Sequence, residues 1–416
     1  METYTNELIS ARPAIKSATQ PHLLDSKLLN IRIDQFAARR LASGAMTGAH
    51  ILILQDGKVL YNKAVGYADV VTQTPLRTDH IFRIASQTKA ITSVAALMLL
   101  EEGCYRLDDP LQKHIPAFKD AAVLDMYNET DGTYTTRPAA RPITVRDLFT
   151  HTSGIGYGLI SEDPRMNAIY AKSALGFVFG THEKLKAVVE KIASLPLRHH
   201  PGEAFTYGLN TDILGYLVEI WSGQTLEQFF QERIFDPLEM HDTHFHLPQE
   251  KEHRLVTLQQ RVEGQLQKVK GMLFNGVDPQ YPTDPGTIHS GGGGLSSTAE
   301  DYAQFLLMLE AGGTYKGHRF LSPATIAQLR LNHLTGSANT DQLQFGLGVA
   351  VITPRTQHLV PAGIGTIYWG GAFNTKYWQD PVSKIIGIIL TQEYLPEDYN
   401  ALRENLQQVV YGAISN

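Results

Sequence analysis

The sequence predicts an α/β (α+β) protein, with an antiparallel sheet built from both ends of the chain, flanked by helices and interrupted by a mainly helical insertion. Two observations carry this expectation. Short apolar runs of strand length fall near residues 49–61 and 346–391, while helical periodicity dominates between them. The run Gly291-Gly292-Gly293-Gly294 then marks a boundary before the C-terminal part. On this reading residues 1–100 and 285–416 form a discontinuous sheet domain and residues 101–284 a mainly helical domain. The cleft between them is the natural place for a site.

Taken in order, apolar residues recur at helical spacing over residues 27–41. The runs 49–54 and 59–61 then flank Asp56-Gly57, a pair that tolerates the positive φ angles of a tight hairpin. Residues 84–102 read as a buried helix opening at Ser86. Residues 141–154 read as a helix capped by Thr144 with Asp147 and closed by Thr-Ser-Gly. Helices follow at 210–221 and 226–234, separated by Ser222-Gly223, and then a polar hairpin or meander at 255–270. Beyond the glycine run come helices at 299–309 and 323–334, strands at 346–352, 365–369, 375–379 and 384–391, and an amphipathic helix at 400–413.

Composition narrows the function. Hydrophobic residues at 43% and charged residues at 19% are a globular balance. A net charge of −6 with no basic run argues against nucleic acid. The N-terminus lacks the basic and apolar regions of a secretory leader, and no apolar run has the length of a membrane span, so a cytoplasmic protein is expected. Cys104 is the single cysteine, which excludes an intrachain disulfide and a thiolate metal cluster. At the end of an apolar segment it reads as a structural thiol.

Three segments could carry chemistry. In Ser86-Gln87-Thr88-Lys89 the two polar ends are three residues apart, and on a helix they share a face. An amine in an apolar pocket can accept the proton of a hydroxyl that is otherwise a weak nucleophile. Ser-x-x-Lys is a weak signal alone, but it occurs here once and directly precedes a buried helix. Tyr207 stands after Pro201-Gly202-Glu203, just ahead of the 210–221 helix; a tyrosine in isolation is more often a packing residue. In Trp369-Gly370-Gly371-Ala372 two glycines within a strand indicate either close backbone approach or a bulge.

Other patterns point elsewhere. The segment His241-Asp242-Thr243-His244-Phe245-His246 has metal-like spacing, but strand alternation yields the same pattern, so no metal and no cofactor is expected. No Gly-x-Ser-x-Gly elbow is present, which disfavours an α/β-hydrolase triad. His151 near Ser153 reads as structural, at a helix end.

Ser86-Gln87-Thr88-Lys89, the segment from Leu148 to Gly154, Pro201-Gly202-Glu203, Tyr207, residues 291–297 with Asp301-Tyr302, and Trp369-Gly370-Gly371 stand in a familiar order. Over roughly residues 30–415 the chain resembles the serine β-lactamase-like hydrolases, which share a penicillin-binding-protein fold and include class C β-lactamases, DD-peptidases and family VIII carboxylesterases. The resemblance implies Ser86 as nucleophile, Lys89 as its proton acceptor and Tyr207 as proton relay to the leaving group. It implies an oxyanion hole from the N–H groups of Ser86 and Ala372, and a substrate-binding strand at Trp369, Gly370 and Gly371. It also implies the same architecture of sheet plus helical domain.

Two departures refine the expectation. Leu209 stands where lactamases and peptidases of the group carry asparagine, with Asn210 one place later, and Trp369 replaces a lysine or histidine. Both changes resemble the family VIII esterases. They favour uncharged, apolar acyl groups, so the expected activity is that of a carboxylesterase on small or medium esters, with weak or no β-lactamase activity. Acyl transfer to an alcohol or amine is the second reading, β-lactamase or DD-peptidase activity another, and a non-catalytic binding protein the last. Tyr157, Tyr170, Phe177, Phe179, Phe274, Tyr281 and Phe373 are candidate walls of the cleft.

Overall fold

The computed structural model describes residues 23–160, 163–274, 276–396, 399 and 401–415. Residues 1–22, which include the N-terminal segment read above, and residue 400, the expected start of the last helix, lie outside the described residues.

Asp56 and Gly57 take φ angles of 49° and 72°, the left-handed pair that a two-residue hairpin needs. They join Gly48–Gln55 to Lys58–Asp69 in antiparallel register. Gly48–Gln55 also pairs along its other edge with Ile385–Leu390, which closes the two ends of the chain into one sheet. The order across the sheet is Ala350–Val351, Ile367–Gly371, Thr375–Asp380, Ile385–Leu390, Gly48–Gln55, Lys58–Asp69 and Thr74–Pro75. Its adjacent strands pair antiparallel, as expected.

Side chains alternate between the two faces of a strand. Leu52, Leu54, Ile386 and Ile388 join one apolar core, which includes the Thr88–Glu101 and Ala299–Glu310 helices. Ile51, Ile53, Ile385 and Ile389 join the other, with the terminal helices Ser26–Ala42 and Ala401–Tyr411. Both faces of the central strands are therefore buried, which explains why the 49–54 and 384–391 runs are almost continuously apolar.

The middle of the chain contributes the helices Val145–Phe149, Pro164–Lys172, Leu185–Ala193, Asn210–Ser222 and Leu226–Phe230. The anticipated polar hairpin is Gln259–Val262 with Gln265–Lys268. A second hairpin, Ala122–Tyr127 with Tyr134–Pro138, was not legible because its second strand is exposed throughout and has no apolar alternation. Thr144 and Asp147 form the expected capping box, reinforced by Arg141, which donates to both carboxylate oxygens at 2.7 and 2.9 Å. Cys104 is exposed, so the reading of it as a packed structural thiol is corrected: it lies past the end of its helix, after the turn at Gly103.

The four glycines at 291–294 are buried between packed elements. A Cβ on Gly292 would lie 2.3 Å from an oxygen of Asp212, one on Gly293 2.7 Å from the Phe179 ring, and one on Gly294 2.9 Å from the Phe245 ring. The run lets backbone pass between the Thr88–Glu101 and Asn210–Ser222 helices, and this close approach positions the site.

Candidate active site

Ser86 does not open the α-helix as expected; it lies in a 3-10 turn, Ala85–Gln87, and the helix begins at Thr88. The backbone at Ala85 accounts for this. Ala85 is held at φ 42°, a left-handed conformation costly for a residue with a Cβ, so the chain enters the helix through a tight turn. Tertiary contacts hold it there. Ile84 donates its N–H to the Leu295 carbonyl at 3.0 Å, Leu295 donates to Thr88 Oγ1 at 3.2 Å, and the Tyr302 hydroxyl donates to the Gln87 carbonyl at 3.0 Å. Just before the turn the buried Arg83 guanidinium donates to the carbonyls of Pro279 and Val256. Burial pulls this guanidinium down to about 10.

Lys89 is buried with its amine at the centre of three contacts: Ser86 Oγ at 3.2 Å, Tyr157 OH at 3.0 Å and the Gly292 carbonyl at 2.6 Å. An ammonium has three hydrogens for these three oxygens, whereas the neutral amine has two and a lone pair. With the short bond to the Gly292 carbonyl kept, the lone pair can face either hydroxyl. The site can therefore pass a proton between Ser86, Lys89 and Tyr157 without rebuilding the backbone.

Tyr207 is also present, but it reaches Lys89 through its ring, whose centre lies 4.9 Å from Nζ. Its hydroxyl accepts from Trp369 Nε1 at 3.4 Å. Burial holds the Tyr157 phenol well above its ordinary range, and interaction with Tyr207, including a hydrogen bond, adds to this. Tyr207 thus lies beside the Lys89 amine, and the structure adds Tyr157, whose hydroxyl contacts that amine directly.

Behind Gly292 lies Asp212, fully buried, whose Oδ1 accepts from Ser290 Oγ at 2.5 Å and from the Gly292 N–H at 3.0 Å. Burial pushes this carboxyl up, opposed by Lys89 and by these hydrogen bonds. Asp212 thus anchors the N–H of the residue whose carbonyl accepts from the amine. A carboxylate among Leu209, Ile213 and Leu214 was the available signal for it. Tyr157 had none, and sequence reasoning placed it only among the walls.

Trp369, Gly370 and Gly371 lie in continuous register with Tyr377, Lys376 and Thr375, so the glycines do not mark a bulge. A Cβ on Gly371 would fall 2.2 Å from the Ile84 carbonyl oxygen. Absence of that Cβ lets the strand end, followed by half-buried Ala372, approach the backbone two residues before Ser86. Gly371→Ala is expected to cost about 1–3 kcal/mol of stability by overpacking; urea melts check it. Lys376 shares its strand face with Trp378, toward the terminal helices, and its amine sits 3.1 Å from the Tyr399 ring centre.

Aromatic rings enclose the amine. Tyr157 touches Phe177 and Tyr207, Phe177 touches Phe274, Tyr207 touches Trp369, and Trp369 touches Phe345, with centroids 4.5–5.4 Å apart. Phe373 adjoins Phe274. Tyr170, Phe179 and Tyr281 lie deeper: Tyr170 OH accepts from the Gly156 N–H, and Phe179 packs on Tyr281. Asn210 turns away from the serine, accepting from Ser153 Oγ at 2.5 Å and donating to His151 Nδ1 at 3.0 Å. Burial, then Lys89, holds His151 well below its ordinary value, in keeping with a neutral structural imidazole. A cleft of about 740 Å³ is lined by Phe205 and Thr206 beside Tyr207, and Ser86 is not part of its wall.

Residues 33–411 match the Beta-lactamase family. The chain belongs to that family. It is 33% identical to Protein Rv1367c of Mycobacterium tuberculosis, over 88% of this chain and 90% of that one. It is 28% identical to Esterase EstB of Burkholderia gladioli, over 93% and 96%. Among solved structures it is similar to EstCE1, described as a hydrolase with promiscuous acyltransferase activity, with a TM-score of 0.80 and 26% identity over 93% of this chain and 99% of that one. This family member therefore has the penicillin-binding-protein fold of an antiparallel sheet with helices, and is a β-lactamase-family serine hydrolase whose relatives include esterases. Among the described residues no helix is long and apolar enough to cross a membrane.

Proposed function

We propose that this protein is a carboxylesterase that transfers small or medium acyl groups from esters to Ser86 and then to water. The observation that carries the proposal is the buried Lys89 amine, held within hydrogen-bonding distance of Ser86 Oγ and Tyr157 OH inside an aromatic enclosure. Ser86 Oγ attacks the ester carbonyl as its proton moves to Lys89. The N–H groups of Ser86 and Ala372 receive the tetrahedral oxyanion. As the C–O bond breaks, a proton returns through Tyr157 and Tyr207 to the departing alcohol. Water then attacks the acyl-enzyme by the reverse route, freeing the acid and Ser86.

The chemistry at position 369 favours esters over β-lactams. An indole stands there, hydrogen-bonded to Tyr207, and Lys376 is on the opposite face of the next strand. A carboxylate-bearing lactam loses a cationic partner, while an uncharged acyl chain gains apolar surface. The name of Esterase EstB supports the same reading. Acyl transfer is the second reading, supported by the description of EstCE1; an alcohol would take the place of water in the deacylation step.

Initial rates on p-nitrophenyl butyrate and a chromogenic cephalosporin test the proposal. The expected result is ester turnover at least about 100-fold faster in kcat/KM. A preference for the cephalosporin would reverse the assignment. Adding an alcohol acceptor and measuring the new ester against the free acid separates transfer from hydrolysis.

A further inference from the structure

Away from Ser86, three side chains from separate parts of the chain converge. Glu227 comes from the first turn of Leu226–Phe230, His246 from the segment after that helix, and His289 from the approach to the glycine run. One ligand atom from each lies within 4.8 Å of the other two. Glu227 Oε1 is 3.9 Å from His246 Nδ1, and Glu227 Oε2 is 3.5 Å from His289 Nε2. Tetrahedral ligands on zinc stand roughly 3.4 Å apart, so small side-chain rotations bring the three to bonding distance.

The hydrogen bond behind His246 gives independent support. Thr287 Oγ1 has one hydrogen, and the carbonyls of Asp284 and Tyr281 accept from it at 3.1 and 3.3 Å. With the hydroxyl hydrogen on a carbonyl, Oγ1 accepts from His246 Nε2 at 2.9 Å; in the other tautomer the hydroxyl donates to Nε2. In the first tautomer the lone pair is on Nδ1, the nitrogen nearest Glu227. A hydroxyl that accepts from an imidazole in this way is the outer support that metal-binding histidines use.

We propose that Glu227, His246 and His289 bind a zinc ion with water in the fourth position. The site differs from the one the His241–His246 spacing suggests. His244 Nε2 accepts from Lys251 at 3.2 Å, and its backbone pairs with Ser296, so of these histidines only His246 reaches the cluster. Bound zinc ties the Leu226–Phe230 helix to the 287–290 segment. One residue beyond His289, Ser290 bonds to Asp212, and two further on the Gly292 carbonyl holds Lys89. The ion is a structural clip on the wall of the active site and takes no part in acyl transfer.

The test uses the full chain, stripped with EDTA and titrated with zinc chloride alone, reading bound metal by mass spectrometry and melting temperature by calorimetry. The expected result is one zinc per chain at low micromolar concentration and a melting temperature raised by several degrees, with magnesium having no effect. His289→Ala and Glu227→Gln should each lose both responses, and His244→Ala should keep them. Glu227 is 46% exposed in its side chain, so Glu227→Gln folds even if the histidine variant does not. Absence of zinc uptake by the wild type, or uptake unchanged in Glu227→Gln and His289→Ala, would overturn the proposal and leave an ordinary histidine–carboxylate ion pair. Ester hydrolysis is not part of the readout, so failure here leaves the esterase reading untouched.

Discussion

Ser86→Ala is expected to lower kcat on p-nitrophenyl butyrate by about four to six orders of magnitude, the scale seen when a serine nucleophile is removed. The hydroxyl is the only group lost, and it accepts from the Lys89 amine at 3.2 Å. Stability should fall by no more than about 1 kcal/mol, the net worth of one hydrogen bond. Acid-quenched wild type should show an added acyl mass by intact-protein mass spectrometry, and the variant none. Turnover that survives the substitution at its full rate would remove Ser86 from the mechanism and take the acyl-enzyme with it.

Lys89→Met should lower kcat/KM by about 10²–10⁴, the range for loss of a general base. Methionine keeps an unbranched chain in the same channel but cannot accept a proton. Two stability effects oppose each other. The Gly292 carbonyl loses its donor, at about 1–3 kcal/mol, while a polar head group no longer has to be buried. A melting temperature close to wild type with activity nearly gone would place the loss in chemistry. Lys89→Arg refines the result, because a guanidinium keeps positive charge but does not give up its proton near neutral pH. Activity retained in Lys89→Arg would mean that the residue acts by charge alone.

The sequence by itself determined the parts that depend on local pattern. The alternating and continuous apolar runs specify which strands are buried, and Asp56-Gly57 specifies their hairpin, because the φ angles of that turn admit few other pairs. Ser86 and Lys89 were legible since three-residue spacing near a helix start favours one face, and the two groups meet even with Ser86 in a 3-10 turn. The Thr144–Asp147 cap was legible for the same reason. Only the tertiary structure decided what lies across from these residues. Tyr157 is 68 positions from Lys89 and Gly292 is 203. Nothing in either local sequence records the distance at which they meet. The glycines show the same limit. Gly371 could be read as a close approach or a bulge and Gly292 as a boundary, but what stands close, an oxygen of Ile84 or of Asp212 where a Cβ would go, is set by the fold. Local sequence encodes backbone preference and periodicity; the placement of Tyr157 and Gly292 around the Lys89 amine, and of Asp212 behind them, comes from packing between elements distant in the chain.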